Sequence, residues 1–116
     1  MAKRKTFNNH KRQRIFNKTH GHCGYCGCKI TPDNFQVDHI TPLAKGGSNY
    51  EFNLIASCSL CNKYKGALSV VEFKKRILEQ VEVIRKSNGK FRLLEHMGIV
   101  WVREDGISFF FERQKC

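Results

Sequence analysis

Apolar side chains recur at helical spacing in one long stretch in the second half of the chain. They stand three or four positions apart, at Val70, Phe73, Ile77, Val81 and Ile84. This spacing is typical of an amphipathic helix. The segment Ser69-Val-Val-Glu72 has the form of a capping box, and Asn88-Gly89 is a stop signal. We therefore predict a helix over residues 70–87 whose apolar face packs on a core.

Shorter patterns earlier in the chain predict a β-hairpin followed by a helix. The run Phe35 to Ile40 has strand character, and Asn53 to Ala56 returns as a second strand after a loop that contains Gly46-Gly47. The segment from Leu60 to Lys65 should then form a short helix. Another short helix is expected at Lys11 to Thr19.

The last part of the chain, from Phe91 to Cys116, is predicted to be β structure. Asp105-Gly106 has the composition of a two-residue turn between the strands Ile99–Arg103 and Ile107–Phe111. Both faces of such a hairpin would be apolar, so its second face should pack against another element or a partner. Packing on its own domain is the favoured interpretation. A second subunit and nucleic-acid bases are the alternatives.

The charge balance narrows the choice of partner. The chain has 116 residues, with 21 Lys and Arg against 10 Asp and Glu, which gives a net charge of +11 and a pI near 9.7. Such an excess favours a polyanion, either nucleic acid or an anionic membrane surface. No apolar run approaches the roughly 20 residues that a spanning helix requires. We therefore expect nucleic acid, and no membrane, as the partner.

The length fits one domain, and so small a core would gain from a structural metal ion. The opening segment Met1-Ala-Lys-Arg-Lys5 lacks the apolar part of a secretory signal. We therefore expect a cytoplasmic, reducing compartment. Clustered cysteines in such a compartment bind metal more often than they form disulfides.

Positive charge is concentrated near the N-terminus, where no acidic residue precedes Asp33. Two further lysines stand on or beside the short helix predicted after the hairpin. The candidate phosphate contacts are Lys3, Arg4, Lys5, Lys11, Arg12, Arg14, Lys63 and Lys65. The alternative is a solvated basic tail that only aids solubility, together with two lysines that simply face solvent.

Two Cys-x-x-Cys motifs have the spacing of zinc knuckles. They are Cys23-Gly-Tyr-Cys26 and Cys58-Ser-Leu-Cys61. Together they predict a tetrahedral four-thiolate zinc site, closed to substrate and therefore structural. A disulfide pairing is the alternative. Cys28, His20 or His22 could replace one of the four ligands, although the four cysteines suffice, and Cys116 has no local partner.

Asp38 and His39 lie between the two knuckles, at the end of the first predicted strand. They offer a hard oxygen ligand and a proton acceptor, the two groups that metal-assisted hydrolysis needs. Neighbouring residues of a regular strand point to opposite faces. Both can serve one site only if the strand ends or bulges there, and Thr41-Pro42 supplies a reason for it to end.

These motifs resemble those of the HNH endonucleases of the ββα-metal class. The resemblance rests on Val37-Asp-His-Ile40, Asn53-Leu-Ile55 and the segment from Cys58 to Gly66, preceded by the knuckle at Cys23. It covers residues 23–66, with Asn62 in place of the last histidine of the family name. It implies an α+β fold: a small ββα-metal (His-Me finger) core with a four-cysteine zinc knuckle pair, followed here by the amphipathic helix and the C-terminal β-hairpin.

The resemblance also implies a set of roles. Asp38 and Asn62 would hold a catalytic Mg²⁺ or Mn²⁺, and His39 would deprotonate the attacking water, its other ring nitrogen held by a backbone carbonyl. Asn53 would tie the loop between the strands so that His39 stays aimed. The implied substrate is double-stranded DNA, cut by a monomer or a homodimer. The expected organisation is a basic arm with a short helix (1–22), the nuclease core with its zinc site (23–68), and an extension packed on the core (69–116).

Two other classes of function remain open from the sequence. One is a zinc-stabilised nucleic-acid-binding module without catalysis, which would need the basic charge and the cysteines but not the Asp-His pair. The other is an accessory component of a larger nucleoprotein or packaging assembly. A homing, restriction, phage or mobile-element setting is not distinguished.

Overall fold

The computed structural model describes residues 7–103 and 105–114, so Lys3, Arg4, Lys5 and Cys116 lie outside the described residues. The helices are α1 (Asn9–Lys18), α2 (Ser59–Lys65), α3 (Val70–Ser87), α4 (Gly89–His96) and α5 (Phe110–Arg113), and the strands are β1 (Gln36–His39) and β2 (Leu54–Ser57). The described residues fall into two compact units. The first contains 7–70 and 108–114, and the second is Val71–Ile107.

The first unit is built around a two-stranded antiparallel sheet. Val37 pairs with Ala56 and His39 with Leu54, so the strands run side by side over their full length. Ile15 of α1 and Leu54 are fully buried, and Val37 is nearly so. Helix α2 follows β2 directly and contacts β1. The order β1, β2, α2 and the α+β class are therefore those predicted from the sequence.

A close backbone approach shapes the loop between β1 and β2. The N–H of Gly47 donates to the carbonyl of Pro42 at 3.0 Å. A Cβ atom at position 47 would lie 1.8 Å from the carbonyl oxygen of Thr41. Only glycine fits at that distance, so the loop folds back tightly on the end of β1.

The predicted C-terminal hairpin is wrong, since residues 99–103 and 105–111 contain no strand. Its turn needed positive φ at both central residues. Gly106 has φ +85°, but His20 is the only described non-glycine residue with a positive φ. The aromatic run instead packs on the first zinc knuckle. Phe110 N–H donates to the carbonyl of Tyr25 at 3.0 Å, and the buried ring of Phe109 meets the Tyr25 ring edge-on at 5.2 Å.

The second unit consists mainly of α3 and α4. The helix predicted over 70–87 is confirmed as α3. The β structure predicted from Phe91 onward is wrong, because Asn88 begins a new helix as well as ending the old one. Its side-chain oxygen accepts from the N–H groups of Lys90 and Phe91, which caps the start of α4. Among the described residues, no helix is both long enough and apolar enough to cross a bilayer.

Candidate active site and metal centre

Asp38 and His39 line the same cleft. Both are the last residues of β1, where Asp38 pairs with Ile55 and His39 with Leu54. Both residues are buried, at 5% and 7% exposure, and they line a cleft of about 240 Å³. The remaining wall is formed by Pro42, Leu43, Ala44, Gly66 and Ala67. Both residues therefore border one cleft at the end of β1.

A buried network holds the carboxylate of Asp38. Its Oδ2 accepts a hydrogen bond from the phenol of Tyr25 and lies 3.1 Å from the ammonium of Lys65. The same ammonium donates to the carbonyl of His39 at 2.9 Å. Burial, followed by the charge of Asp38, raises the pKa of the Tyr25 phenol, so this group stays protonated and donates. The contacts from Tyr25 and Lys65 both fall on Oδ2, so Oδ1 is the oxygen of Asp38 that can face a ligand.

The predicted phosphate contact by Lys65 is wrong. Its side chain is fully buried, and its charge is committed to Asp38. Helix α2 points Lys65 inward at β1, whereas Lys63, two residues earlier, is exposed. A phosphate could not reach Lys65 without breaking a buried ion pair.

The ring of His39 is oriented by Asn49. Its Nε2 lies 2.8 Å from the side-chain oxygen of Asn49, and because an amide oxygen can only accept, Nε2–H is the donor of this hydrogen bond. The expected backbone carbonyl is therefore replaced by a side-chain amide. Asn49 is itself anchored, because its carbonyl accepts from the ammonium of Lys11 at 3.1 Å.

Asn53 closes the loop that carries Asn49. Its Oδ1 accepts from the N–H of Thr41 at 2.9 Å, and its Nδ2 donates to the carbonyls of Thr41 and Ser48 at 3.0 and 2.8 Å. Its side chain is nearly buried. The amide thus joins the first residues after β1 to the residues before β2.

Asn62 lies on the same side of β1 as Asp38. Its Nδ2 donates to the side-chain oxygen of Gln36, which stands two residues before Asp38 and so on the same strand face. The α2 residue that touches Asp38 is Lys65, and Asn62 sits one turn earlier beside Gln36. The amide oxygen of Asn62 is the atom left to serve as a ligand.

The four cysteines of the two knuckles form one cluster. The sulfur atoms of Cys23, Cys26, Cys58 and Cys61 all lie within 4.8 Å of one another. Cys28 is not among them. The sulfur of Cys58 also accepts from the N–H of Cys61 and caps α2. A hydrogen bond from Cys61 lowers the pKa of Cys23 to about 4, against the opposing effect of burial. This donor set fits a zinc ion, which is bound tetrahedrally by thiolates.

Most described candidates for phosphate contact are already engaged within the protein. The ammonium of Lys11 binds Asn49, the guanidinium of Arg12 donates to the carbonyl of Phe35 at 3.1 Å, and Arg14 pairs with Glu51 at 3.0 Å. The Arg14 side chain is still 57% exposed. Helix α1 therefore fixes the loop of the site as well as adding positive charge to its edge.

Three residues of this site were missed from the sequence, namely Tyr25, Gln36 and Asn49. Strand alternation could have found Gln36, because it shares a face with Asp38. Tyr25 stands inside a Cys-x-x-Cys motif, where only the cysteines attract attention. Asn49 lies in a loop of turn-forming residues, and its contact with His39 depends on how that loop folds back.

Known proteins match the same part of the chain. A family model for HNH endonucleases matches residues 23–68. The CRISPR-associated endonuclease Cas9 of Corynebacterium diphtheriae is 49% identical over 45 residues, which are 38% of this chain and 4% of that protein. The Cas9 of Actinomyces naeslundii is 48% identical over 44 residues, which are 37% of this chain and 4% of that protein.

The fold agrees with this match. The crystal structure of the Type II-C Cas9 enzyme from Actinomyces naeslundii superposes with a TM-score of 0.56 and 28% sequence identity, covering 65% of this chain and 8% of that one. This chain thus spans a small fraction of the length of these relatives. The matched residues include Asp38, His39 and all four clustered cysteines. Residues 23–68 are therefore an HNH endonuclease domain, homologous to the HNH region of Cas9 proteins.

Proposed function

We propose that this protein is a metal-dependent endonuclease that hydrolyses phosphodiester bonds in DNA. The observation that carries the proposal is the cleft shared by Asp38 and His39, in which Asn49 fixes the imidazole. A carboxylate and an oriented base at one opening are the groups that phosphodiester hydrolysis requires. The matched relatives are Cas9 endonucleases, which supports the same reaction class.

His39 is the proposed general base. Its Nδ1 carries the lone pair, so it takes the proton of the attacking water while Nε2–H remains on Asn49. Asn53 helps to keep the ring of His39 in position, because its hydrogen bonds to Thr41 and Ser48 fix the loop that carries Asn49. We assign Asn53 this positioning role and no bond chemistry.

Asp38 and Asn62 are the proposed ligands of a divalent cation, Mg²⁺ or Mn²⁺. Carboxylate and amide oxygens are the hard ligands that these ions prefer. Oδ1 of Asp38 and Oδ1 of Asn62 would hold it, and the bound ion would neutralise the charge that develops on the phosphate and the leaving oxygen. Two protein ligands make a weak site. Lys65 holds Asp38 in place through its ion pair.

The cysteine cluster is the proposed site of a structural zinc ion. A reducing, cytoplasmic compartment, expected from the sequence, would keep the four thiols available to the metal. Double-stranded DNA is the proposed substrate, in keeping with the net charge of +11. Among the described candidates named from the sequence, Arg14 and Lys63 have exposed side chains that can contact phosphates. A monomer and a homodimer both remain compatible with this function.

A plasmid-nicking assay tests the proposal. Wild-type protein with Mg²⁺ should convert supercoiled plasmid to nicked plasmid, and His39→Ala should be slower by about a hundredfold or more. His96→Ala, which removes an exposed histidine of α4, serves as the matched control and should cut normally. Sequencing the ends formed on a random DNA library would then give strandedness and specificity. Binding without metal-dependent cleavage would favour the non-catalytic module, and equal cleavage by His39→Ala would contradict the role of His39.

A further inference from the structure

Two large aromatic side chains stand in solvent on the loop of the active site. Tyr50 is 70% exposed and Phe52 is 77% exposed. Their rings are nearly parallel, with an interplanar angle of 11° and centroids 5.8 Å apart. Leaving two such rings in water forgoes the burial that aromatic residues usually gain. The pair therefore has the properties of a binding surface.

The loop presents these rings on a rigid base. Residues Glu51–Asn53 form a single helical turn, and the N–H of Asn53 donates to the carbonyl of Tyr50 at 2.9 Å. The ammonium of Lys18 donates to the carbonyl of Glu51 at 2.9 Å, and Arg14 holds the carboxylate of Glu51. Because the backbone of this loop is already fixed, it loses little conformational entropy when a ligand binds.

The pair lies next to the proposed catalytic base. Tyr50 directly follows Asn49, the residue that holds His39. Both rings line a cleft of about 310 Å³, whose other walls are Thr41, Gly46, Gly47, Ser48 and Asn53. Phe52 also lines a second cleft of about 340 Å³, which contains Lys18. The rings of Tyr50 and Phe52 therefore lie beside two open clefts, one of which also contains Lys18. The loop that carries the rings also carries Asn49, which contacts His39.

We propose that Tyr50 and Phe52 form a nucleobase-binding site, on which a base of the nucleic acid stacks once the duplex opens next to the phosphate to be cut. This inference rests on the nucleic-acid substrate of the proposed function. The occupant is a base and not an apolar protein segment, because Arg14 and Lys18 beside the rings match the phosphates that a base carries with it. Every base offers a flat face, so the site tolerates any sequence.

A binding assay with defined oligonucleotides tests this site. His39→Ala is introduced throughout so that no strand is cut, and Tyr50→Leu with Phe52→Leu removes the aromatic faces but keeps apolar bulk. Trp101→Leu, which removes an aromatic residue that is 80% exposed in the second unit, is the matched control. The probes are a single strand with one 2-aminopurine, the same strand with abasic sites, and a blunt duplex of the same sequence.

The double leucine variant should bind the single strand about tenfold more weakly or worse, and it should lose the quenching of 2-aminopurine fluorescence. Its affinity for the duplex should change little. The abasic strand should bind weakly, and with equal affinity, to the His39→Ala parent and to the double leucine variant. Thermal melting and zinc content should be unchanged, since both side chains are exposed. Unchanged single-strand binding, equal losses for strand and duplex, or absence of single-strand binding in the parent would each overturn the proposal.

The result is separable from that of the nicking assay. If DNA is cut but the leucine variant binds single strands normally, the stacking site fails and the nuclease stands. If no DNA is cut but the variant loses single-strand binding, the catalytic proposal fails and the stacking site stands as part of a binding module.

Discussion

The side-chain oxygen of Asn49 lies 2.8 Å from Nε2 of His39 and fixes which ring nitrogen carries the proton. Replacing Asn49 by Ala removes this acceptor and frees the ring to turn. We expect kcat to fall by about a hundredfold, because a small displacement of a reacting group is enough for such a loss. Single-turnover cleavage of a labelled duplex measures the effect.

Asn49→Asp provides the control for this prediction, since a carboxylate oxygen can accept the same hydrogen bond. It should retain more activity than Asn49→Ala, while both variants bind DNA with the affinity of the parent. Full activity of Asn49→Ala would mean that the Asn49 contact does not position the base.

Lys65→Met should destabilise the protein, because it leaves the carboxylate of Asp38 buried without its cation. Breaking a buried ion pair on one side costs about 3–5 kcal/mol. Lys63→Met, which changes a more accessible lysine two residues away, should alter the free energy of unfolding by less than about 0.5 kcal/mol. Urea unfolding of both variants gives the comparison.

A double variant sharpens the test of Lys65. Asp38→Asn removes the negative charge, so Lys65→Met should cost less in that background than in the parent. Equal costs in the two backgrounds would show that the ion pair contributes nothing to stability.

Cys58→Ser should abolish zinc binding and unfold the first unit. A structural zinc ion contributes about 10 kcal/mol or more in apparent binding energy, which is comparable to the whole stability of a domain. Cys28→Ser should retain one zinc ion per chain, because Cys28 is outside the cluster of four sulfurs. Metal analysis and far-UV circular dichroism report the outcome. Loss of zinc from Cys28→Ser would assign that residue as a ligand.

Gly47→Ala should impair cleavage through the loop of the site. The added Cβ would lie 1.8 Å from the carbonyl oxygen of Thr41, so the backbone must move. We expect a loss of about 1–3 kcal/mol in stability, as for overpacking elsewhere, and a lower rate because Asn49 moves with the loop. Gly89→Ala, whose Cβ would meet only the end of Arg92 at 3.5 Å, is the control and should leave both quantities nearly unchanged.

The sequence predicted those parts of the fold that depend on local pattern. Helix α3 has the predicted bounds, because its apolar spacing and its stop signal are both local. The cysteine cluster followed from knuckle spacing, and the end of β1 followed from Thr41-Pro42. Each of these features is encoded in short local motifs, of which the cysteine cluster combines two.

The remainder depended on contacts between distant segments. Phe109 is β-prone in isolation but gains more by packing on Tyr25, which lies far away along the chain. The sequence predicted Lys65 as a surface cation that contacts phosphate, whereas α2 directs its buried side chain at Asp38. The hydrogen bond between Asn49 and His39 exists only because the loop folds back at Gly47. Contacts between residues that are far apart along the chain cannot be predicted from local sequence patterns.

Tyr25 occupies a position whose consequence concerns assembly. It stands inside the first knuckle, its phenol holds Asp38, and its ring supports Phe109. Under the proposed function, zinc binding by the four sulfurs would come before Tyr25 and Asp38 take up their positions. A chain without its zinc ion would then be unable to cleave nucleic acid.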